Sequence, residues 1–268
     1  MADVPSPLAA FVVAEIRRAR GGAGMTQETF GRGAGFSASH VSAVEGGTRA
    51  LTMDFIKGAD RALKTGGLFE RLVASVGAPS WFLPWLDAER AATQLRYFEP
   101  NLIPGLLQTE EYAHTVLRSV DILTTDEVEQ RVSARVERQK ILTCDRPPQF
   151  VAVLDESALR RYGDGIGAVM AQQIAHLIAL AELPHIHVHV IPASSGLHVG
   201  LSGPFALARS REGVWVGHLE NQLAGVVIDK DDDVATLQAR WESVRNEALP
   251  RRQSIDLLKE VESQHGPQ

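Results

Sequence analysis

The chain has 268 residues, 44% of them apolar and 22% charged, ordinary globular proportions with room for one large domain or two smaller ones. Its one cysteine, Cys144, excludes an internal disulfide and a cysteine-based zinc site, and no run of about 18 apolar residues exists to span a membrane. The net charge of −6 is unevenly divided: residues 1–66 hold eight Lys/Arg against six Asp/Glu, a net of +2, which leaves −8 for the rest. A small basic head on an acidic body fits a nucleic-acid contact confined to the head.

The opening MADVPSPLAA has no basic region ahead of an apolar stretch, so no secretory signal is expected and a cytoplasmic, nucleoid-associated location is. Leu8, Phe11, Val12, Glu15, Ile16 and Ala19 then follow helical spacing, flanked by Arg17, Arg18 and Arg20. The glycines of RGGAG end that helix. Thr26 is a suitable N-cap for a short second helix, Gln27–Arg32, with Phe30 turned inward. Gly33-Ala34-Gly35 forms a tight turn. Ser37 caps a third helix, Ala38–Glu45, with Val41 and Val44 on its core face, and Gly46-Gly47 stops it. A fourth helix runs over Thr52–Leu63, with Phe55, Ala59 and Leu63 aligned.

Two short helices joined by a glycine-containing turn make the helix-turn-helix pattern. MTQETFGRGAGFSASHVSAVEGG resembles the lambda-repressor/Cro (XRE) type, through Thr26-Gln27-Glu28, Phe30, Gly35, Ser37, Ser39, Val41-Ser42, Val44-Glu45 and Gly47. The resemblance implies that Gln27, at the start of the second helix, sits over a phosphate. It places Ala38, Ser39 and Ala43 where base edges are read, with Ser37, His40 and Ser42 alongside. It also implies that Arg20 and Glu45 can pair, tying the first helix to the reading helix. Arg17, Arg18, Arg32, Arg49 and Lys57 supply phosphate contacts. The departure lies in the reading positions: alanine touches only a thymine methyl, and serine pairs with almost any base. Direct readout should therefore be thin, leaving specificity to His40, DNA shape, the flanking arginines or a second half-site on a dimer.

VGAPSWFLPW carries Pro79 and Pro84, which break helices, and a domain boundary is expected near residue 79. Beyond it the pattern predicts a helix over Leu86–Phe98, then an extended turn at Pro100 and Pro104. A helix capped by Thr109 follows, opening on Glu110 and Glu111, and another runs over 125–142 with Glu127 and Arg131 at pairing distance. FVAVLD at 150–155 reads as a buried strand and 166–182 as a helix. HIHVHVIP reads as a further strand, and GPFALARS, GVWVGHLE and LAGVVID as an antiparallel meander over 203–229. Helices at 231–248 and 251–263 close the chain. The expectation is an all-α lambda-repressor-like bundle at 1–78, followed at 79–268 by an α+β regulatory and dimerisation domain with a small, mainly antiparallel sheet. WLDAERAATQLRYFEPNLIPGLLQTEEYAHTVL, RVERQKIL, VAVLDESALRR, GLHVGLSGPFAL and VWVGHLE together resemble the C-terminal domain of antitoxin-like helix-turn-helix regulators from actinobacteria. That resemblance implies transcriptional regulation and a small basic protein, encoded nearby, as partner; it carries over no catalytic residues.

Three clusters in the body invite chemistry. His185, His187 and His189 alternate on one strand; they make either a solvated or partner-facing surface or, with His198 as a fourth ligand, a zinc site. Asp155, Glu156 and Glu220 are candidates for acid or metal catalysis, although Asp155-Glu156 also suit a strand end and helix start. Asp229–Asp233 lacks the glycine and distal glutamate of a calcium loop and reads as an acidic helix start. Ser194-Ser195-Gly196 is no nucleophile elbow, and neither GxGxxG nor a P-loop occurs. The reading that follows is a sequence-specific DNA-binding transcriptional regulator without cofactor or catalytic centre. Double-stranded DNA, a small basic protein and a second copy of the chain are its partners, and no membrane is involved. The alternative is a metal-dependent hydrolase with a DNA-targeting head.

Overall fold

The computed structural model describes residues 7–49, 51–75, 82–120, 123–161, 163, 165–221 and 225–265. The Leu8 side chain, the boundary segment 76–81 and Leu223-Ala224 lie outside the described residues. The chain divides into two compact units, Met1–Ala78 and Pro79–Gln268. Among the described residues no helix is long and apolar enough to cross a membrane.

The first unit is five helices: α1 (Pro7–Gly22), α2 (Gln27–Ala34), α3 (Ala38–Glu45), α4 (Met53–Leu63) and α5 (Leu68–Ser75). Side-chain caps start three of them. Thr26 accepts from Thr29 N at 3.1 Å, Ser37 from His40 N at 3.2 Å and Thr52 from Phe55 N at 3.3 Å. Each satisfies a backbone donor that the helix itself cannot. The sequence reading passed over α5, whose start is built from a distance. Asp60, buried in α4, accepts from Phe69 N at 3.0 Å and Glu70 N at 2.9 Å. Val12, Ile16, Phe30, Val41, Val44, Phe55, Ile56, Ala59 and Phe69 form one core, while Phe11 stays about half exposed.

The second unit is a six-stranded sheet between helical layers. Its elements in chain order are α6 (Leu83–Ala91), β1 (Ala92–Glu99), α7 (Glu110–Arg118), α8 (Thr125–Arg138), β2 (Gln149–Asp155), α9 (Ile166–Ala181), β3 (Ile186–Ile191), β4 (Phe205–Ser210), β5 (Trp215–Glu220), β6 (Gly225–Ile228), α10 (Asp231–Glu247) and α11 (Arg251–His265). The strand order is β3-β2-β1-β4-β5-β6. β1, β2 and β3 pair in parallel, and β4, β5 and β6 extend the sheet antiparallel to their neighbours. Two sequence expectations change here. The predicted helix over Leu86–Phe98 ends at Ala91, and its second half is the central strand. The sheet of the described strands is therefore mixed, with two parallel pairings beside three antiparallel ones. Leu95 and Tyr97 of β1 face one layer of the core and Phe98 the other, beside Gln94 and Arg96.

Trp85, Leu106, Leu107, Tyr112, Ile174, Leu177, Leu258 and Val261 cover one face of the sheet. Leu237, Trp241 and Val244 of α10 cover the other, against Phe98, Val151, Val153, Phe205 and Leu207. α10 does begin on the acidic run, with Asp231, Asp232 and Asp233 in its first turn. The segment Ile103–Gln108, which reads IPGLLQ, is a largely buried connection with one 3-10 turn at Gly105–Leu107, and several of its backbone groups find side-chain partners. Gln108 donates to Ile103 O at 2.7 Å, Gln139 donates to Gly105 O at 2.9 Å and to Gln108 O at 2.7 Å, and Gln173 donates to Leu107 O at 2.8 Å. Arg135 in turn donates to the side-chain oxygen Oε1 of Gln108 at 2.7 Å.

Within the first unit α2 and α4 approach so closely that Gly58 has no room for a side chain. A Cβ there would stand 2.5 Å from the Ala34 carbonyl oxygen. Gly58→Ala is therefore expected to destabilise the first unit by about 1–3 kcal/mol, as overpacking does. The full chain in a urea titration should then show a first-unit transition at lower denaturant, with the second unit unmoved.

Candidate nucleic-acid interface

The interface is built on the turn between α2 and α3. Gly35 adopts φ 88°, and its N–H and that of Phe36 both donate to Gly31 O at 2.8 Å. The left-handed conformation suits glycine, so the chain reverses there without strain. Ser37 then starts α3 in the register that buries Val41 and Val44. Ser39 and Ser42 stand exposed, and Ala38 and Ala43 half-exposed. Ser37 Oγ and Ser39 Oγ lie 3.0 Å apart in a hydrogen bond. The outward surface of the reading helix is therefore two hydroxyls and two methyls.

His40 is half-buried on α3. Its ring packs 4.6 Å from the Phe36 ring and 5.9 Å from that of Phe55, nearly parallel to the latter. Its Nε2 is buried without a hydrogen-bond partner. The half-buried imidazole thus packs on one side against two aromatic rings of the head. A signal for this was available: position 40 sits one residue before Val41 and four before Val44, on the apolar stripe.

Arg20 and Glu45 form the expected pair. Arg20 Nε donates to Glu45 Oε1 at 2.7 Å and Nη2 to Oε2 at 2.9 Å, with the side chains 14% and 4% exposed. The third guanidinium nitrogen donates to Met25 O at 2.7 Å. Gln27 completes the cluster, its Nε2 donating to Glu45 Oε2 at 2.8 Å. The sequence reading placed Gln27 over a phosphate and did not find this bond. Burial pushes the Glu45 carboxyl upward, but the hydrogen bonds from Arg20 and Gln27 outweigh it, and the group is held below the ordinary carboxylate range. Around this centre Arg17, Arg18 and Arg49 are exposed. Arg32 is also exposed and lies 3.2 Å from Glu28, and Lys57 lies 3.8 Å from Glu70. Such exposed pairs contribute little and exchange readily for phosphate.

The other candidate groups are occupied by the fold. His185 shares a hydrogen bond with Leu142 O at 2.8 Å and His189 with Leu249 O at 3.0 Å. The strand face read as solvated is thus half-buried. Burial, helped by nearby Arg251, lowers the His187 pKa, and burial also lowers that of His189. His198 meets Asp155 Oδ2 at 3.0 Å, and Asp155 also accepts from Ser157 N at 2.8 Å. Glu156 accepts from Ala193 N at 2.7 Å and pairs with Arg160. Glu220 lies apart from these two acids. Among the described residues no three His, Cys, Asp or Glu side chains stand together as a metal site.

Two family models match the chain. One, described as a helix-turn-helix domain, covers residues 12–72. The other, described as a domain of unknown function (DUF5753), covers residues 83–260. Comparison with curated proteins and with solved structures returns no match.

The Arg20–Glu45 pair yields a test of opposite signs. Arg20→Met leaves a buried carboxylate with Gln27 alone and should cost the head about 3 kcal/mol. In the native chain the pair's contribution is complete above the unfolded glutamate value of about 4.3 and is lost as pH falls through the lower folded value. In the variant Glu45 is raised instead, so head stability should increase as pH falls through the same range. Urea titrations between about pH 3 and 7 would reveal the reversal.

Proposed function

Because the chain belongs to the DUF5753 family and carries a helix-turn-helix domain ahead of that region, we propose that it is a sequence-specific transcriptional regulator of the lambda-repressor/Cro (XRE) type. In this reading the second unit dimerises and senses a ligand or a small protein. The observation that carries the reading is the α2–turn–α3 geometry: the Arg20–Glu45–Gln27 cluster fixes α3 with Ala38, Ser39, Ser42 and Ala43 outward, between exposed arginines. A basic partner, of the antitoxin-like arrangement, is favoured by the −8 carried beyond residue 66, since charge complementarity speeds association and sharpens specificity. A non-enzymatic role is supported by the engagement of His185, His189, Asp155 and Glu156 in bonds that hold the fold.

With His40 turned inward the reading helix has still fewer base-specific groups, and a second half-site gains weight as the source of specificity. Gln27 keeps its backbone N–H and one amide hydrogen for a phosphate while its other amide hydrogen holds Glu45. Residues 1–78 alone should bind DNA at about the 10⁻⁴–10⁻⁶ M of non-specific complexes. The full chain should bind far more tightly to a site with two half-sites about one helical turn apart. Gln27→Ala should weaken binding to all sequences alike, and Ser39→Ala should change little. Titration of both proteins on an operator recovered by genome-wide mapping checks this. Equal affinity and preference for the head and the full chain would overturn the role given to dimerisation.

A further inference from the structure

Residues 192–204 join β3 to β4 and carry no Asp, Glu, Lys or Arg, in a chain that is 22% charged. β4 runs antiparallel to β1, so this loop lies at the edge of the sheet where β1, β2 and β3 end. Two single turns of 3-10 helix, Ala193–Ser195 and Val199–Ser202, shape it. Gly196, at φ 68°, takes the reversal just before Leu197.

The loop is fastened from beneath. Ala193 N donates to the buried Glu156 at 2.7 Å, and Ser195 Oγ donates to Glu247 O at 3.4 Å. His198 shares a hydrogen bond with Asp155 at 3.0 Å, its side chain 3% exposed, and its ring meets that of Phe98 edge-on. Gly200 lies so close to the Phe98 ring that a Cβ there would stand 2.2 Å from it. These inward positions alternate with outward ones: Leu197 is 94% exposed, Val199 39% and Leu201 52%. A single exposed leucine is ordinary. Three aliphatic side chains within five residues, held outward by a fastened loop, make a ridge of roughly 300 Å², a size at which apolar patches are often functional.

Charge decides the occupant. A basic partner would be drawn to carboxylates, and the loop has none. Each copy carries −6, so two copies repel wherever their charged surfaces meet, and a charge-free ridge is where they can approach. Two ridges face to face bury roughly 600 Å² of the ~1,000 Å² that a specific interface needs. The exposed Ser194 and Ser202 begin its polar rim. We propose that Leu197, Val199 and Leu201 form the core of a twofold interface with a second copy of this chain. The inference rests on the dimerisation proposed above and names the surface that performs it.

Sedimentation equilibrium of the full chain, without DNA, should show a monomer–dimer equilibrium with a dissociation constant below about 100 µM. Leu197→Asp and Leu201→Asp should each raise that constant at least about tenfold, because a twofold contact loses two leucines at once. Leu197→Ser should do the same without adding charge. The circular dichroism of all three should match that of the native chain, since these side chains leave no space behind in the fold. Val214→Asp, at a residue 61% exposed in the β4–β5 turn on the opposite edge, should leave association unchanged. A dimer undisturbed by Leu197→Asp and Leu201→Asp overturns the ridge and leaves dimerisation standing. Dissociation by the aspartates alone, with Leu197→Ser behaving as native, overturns the apolar contact too. A native chain that stays monomeric up to about 100 µM overturns dimerisation and the ridge's occupant together. A monomer that floats with phosphatidylcholine vesicles, and fails to do so as Leu197→Asp, likewise overturns the second copy and gives the ridge to a lipid surface.

Discussion

A single buried contact governs the head: the bidentate bond between Arg20 and Glu45. It joins the end of α1 to the end of α3, reaches the α1–α2 connection through Met25 O and α2 through Gln27. Four segments thus share one pair of opposite charges. Apolar packing alone would let α3 roll about its own axis, because Val41 and Val44 are compact and the rest of the helix is small. A planar guanidinium gripping both oxygens of a carboxylate removes that freedom, since the two bonds fix orientation as well as distance. The small residues on the outer surface of α3 are presented in one defined orientation for this reason.

The body solves a different problem. Ile103–Gln108 runs through the interior with only a single 3-10 turn, and there each backbone polar group needs a partner. Side-chain amides provide many of them. Gln108, Gln139 and Gln173 each reach a carbonyl of this loop, and Thr109 N donates back to Gln173 at 2.7 Å. The segment, part of the stretch that carries the family resemblance, is a buried connection. Its glutamines and the arginine beside it keep the loop satisfied, and α7, α8 and α9 are fastened together as a result.

What sequence reveals here follows the range of the interaction. Caps act within three residues, so Thr26, Ser37, Thr109 and the starts of α2, α3 and α7 were legible. Arg20–Glu45 spans 25 positions and was reached only through family spacing. β1 was not legible at all. Its polar residues Thr93, Gln94 and Arg96 interrupt the apolar ones in a pattern that also suits a helix, and its strand character comes from β2 and β4 on either side. With β1 missing, the parallel pairings of β1, β2 and β3 could not be drawn. His40 shows the converse limit: a polar residue on a reading helix invites a reading role, while the aromatic neighbours that claim it come from the turn at Phe36 and from α4.

The same inward turn of His40 has a consequence for how such proteins diversify. Ala38, Ser39, Ser42 and Ala43 can be exchanged for longer residues without touching the core, because Val41, Val44, His40 and the Arg20–Glu45 pair hold α3 from within. Address and architecture are thereby written at separate positions of one eight-residue helix. A duplicate of this chain can change the surface that α3 offers through a few substitutions and keep the packing of its first unit intact.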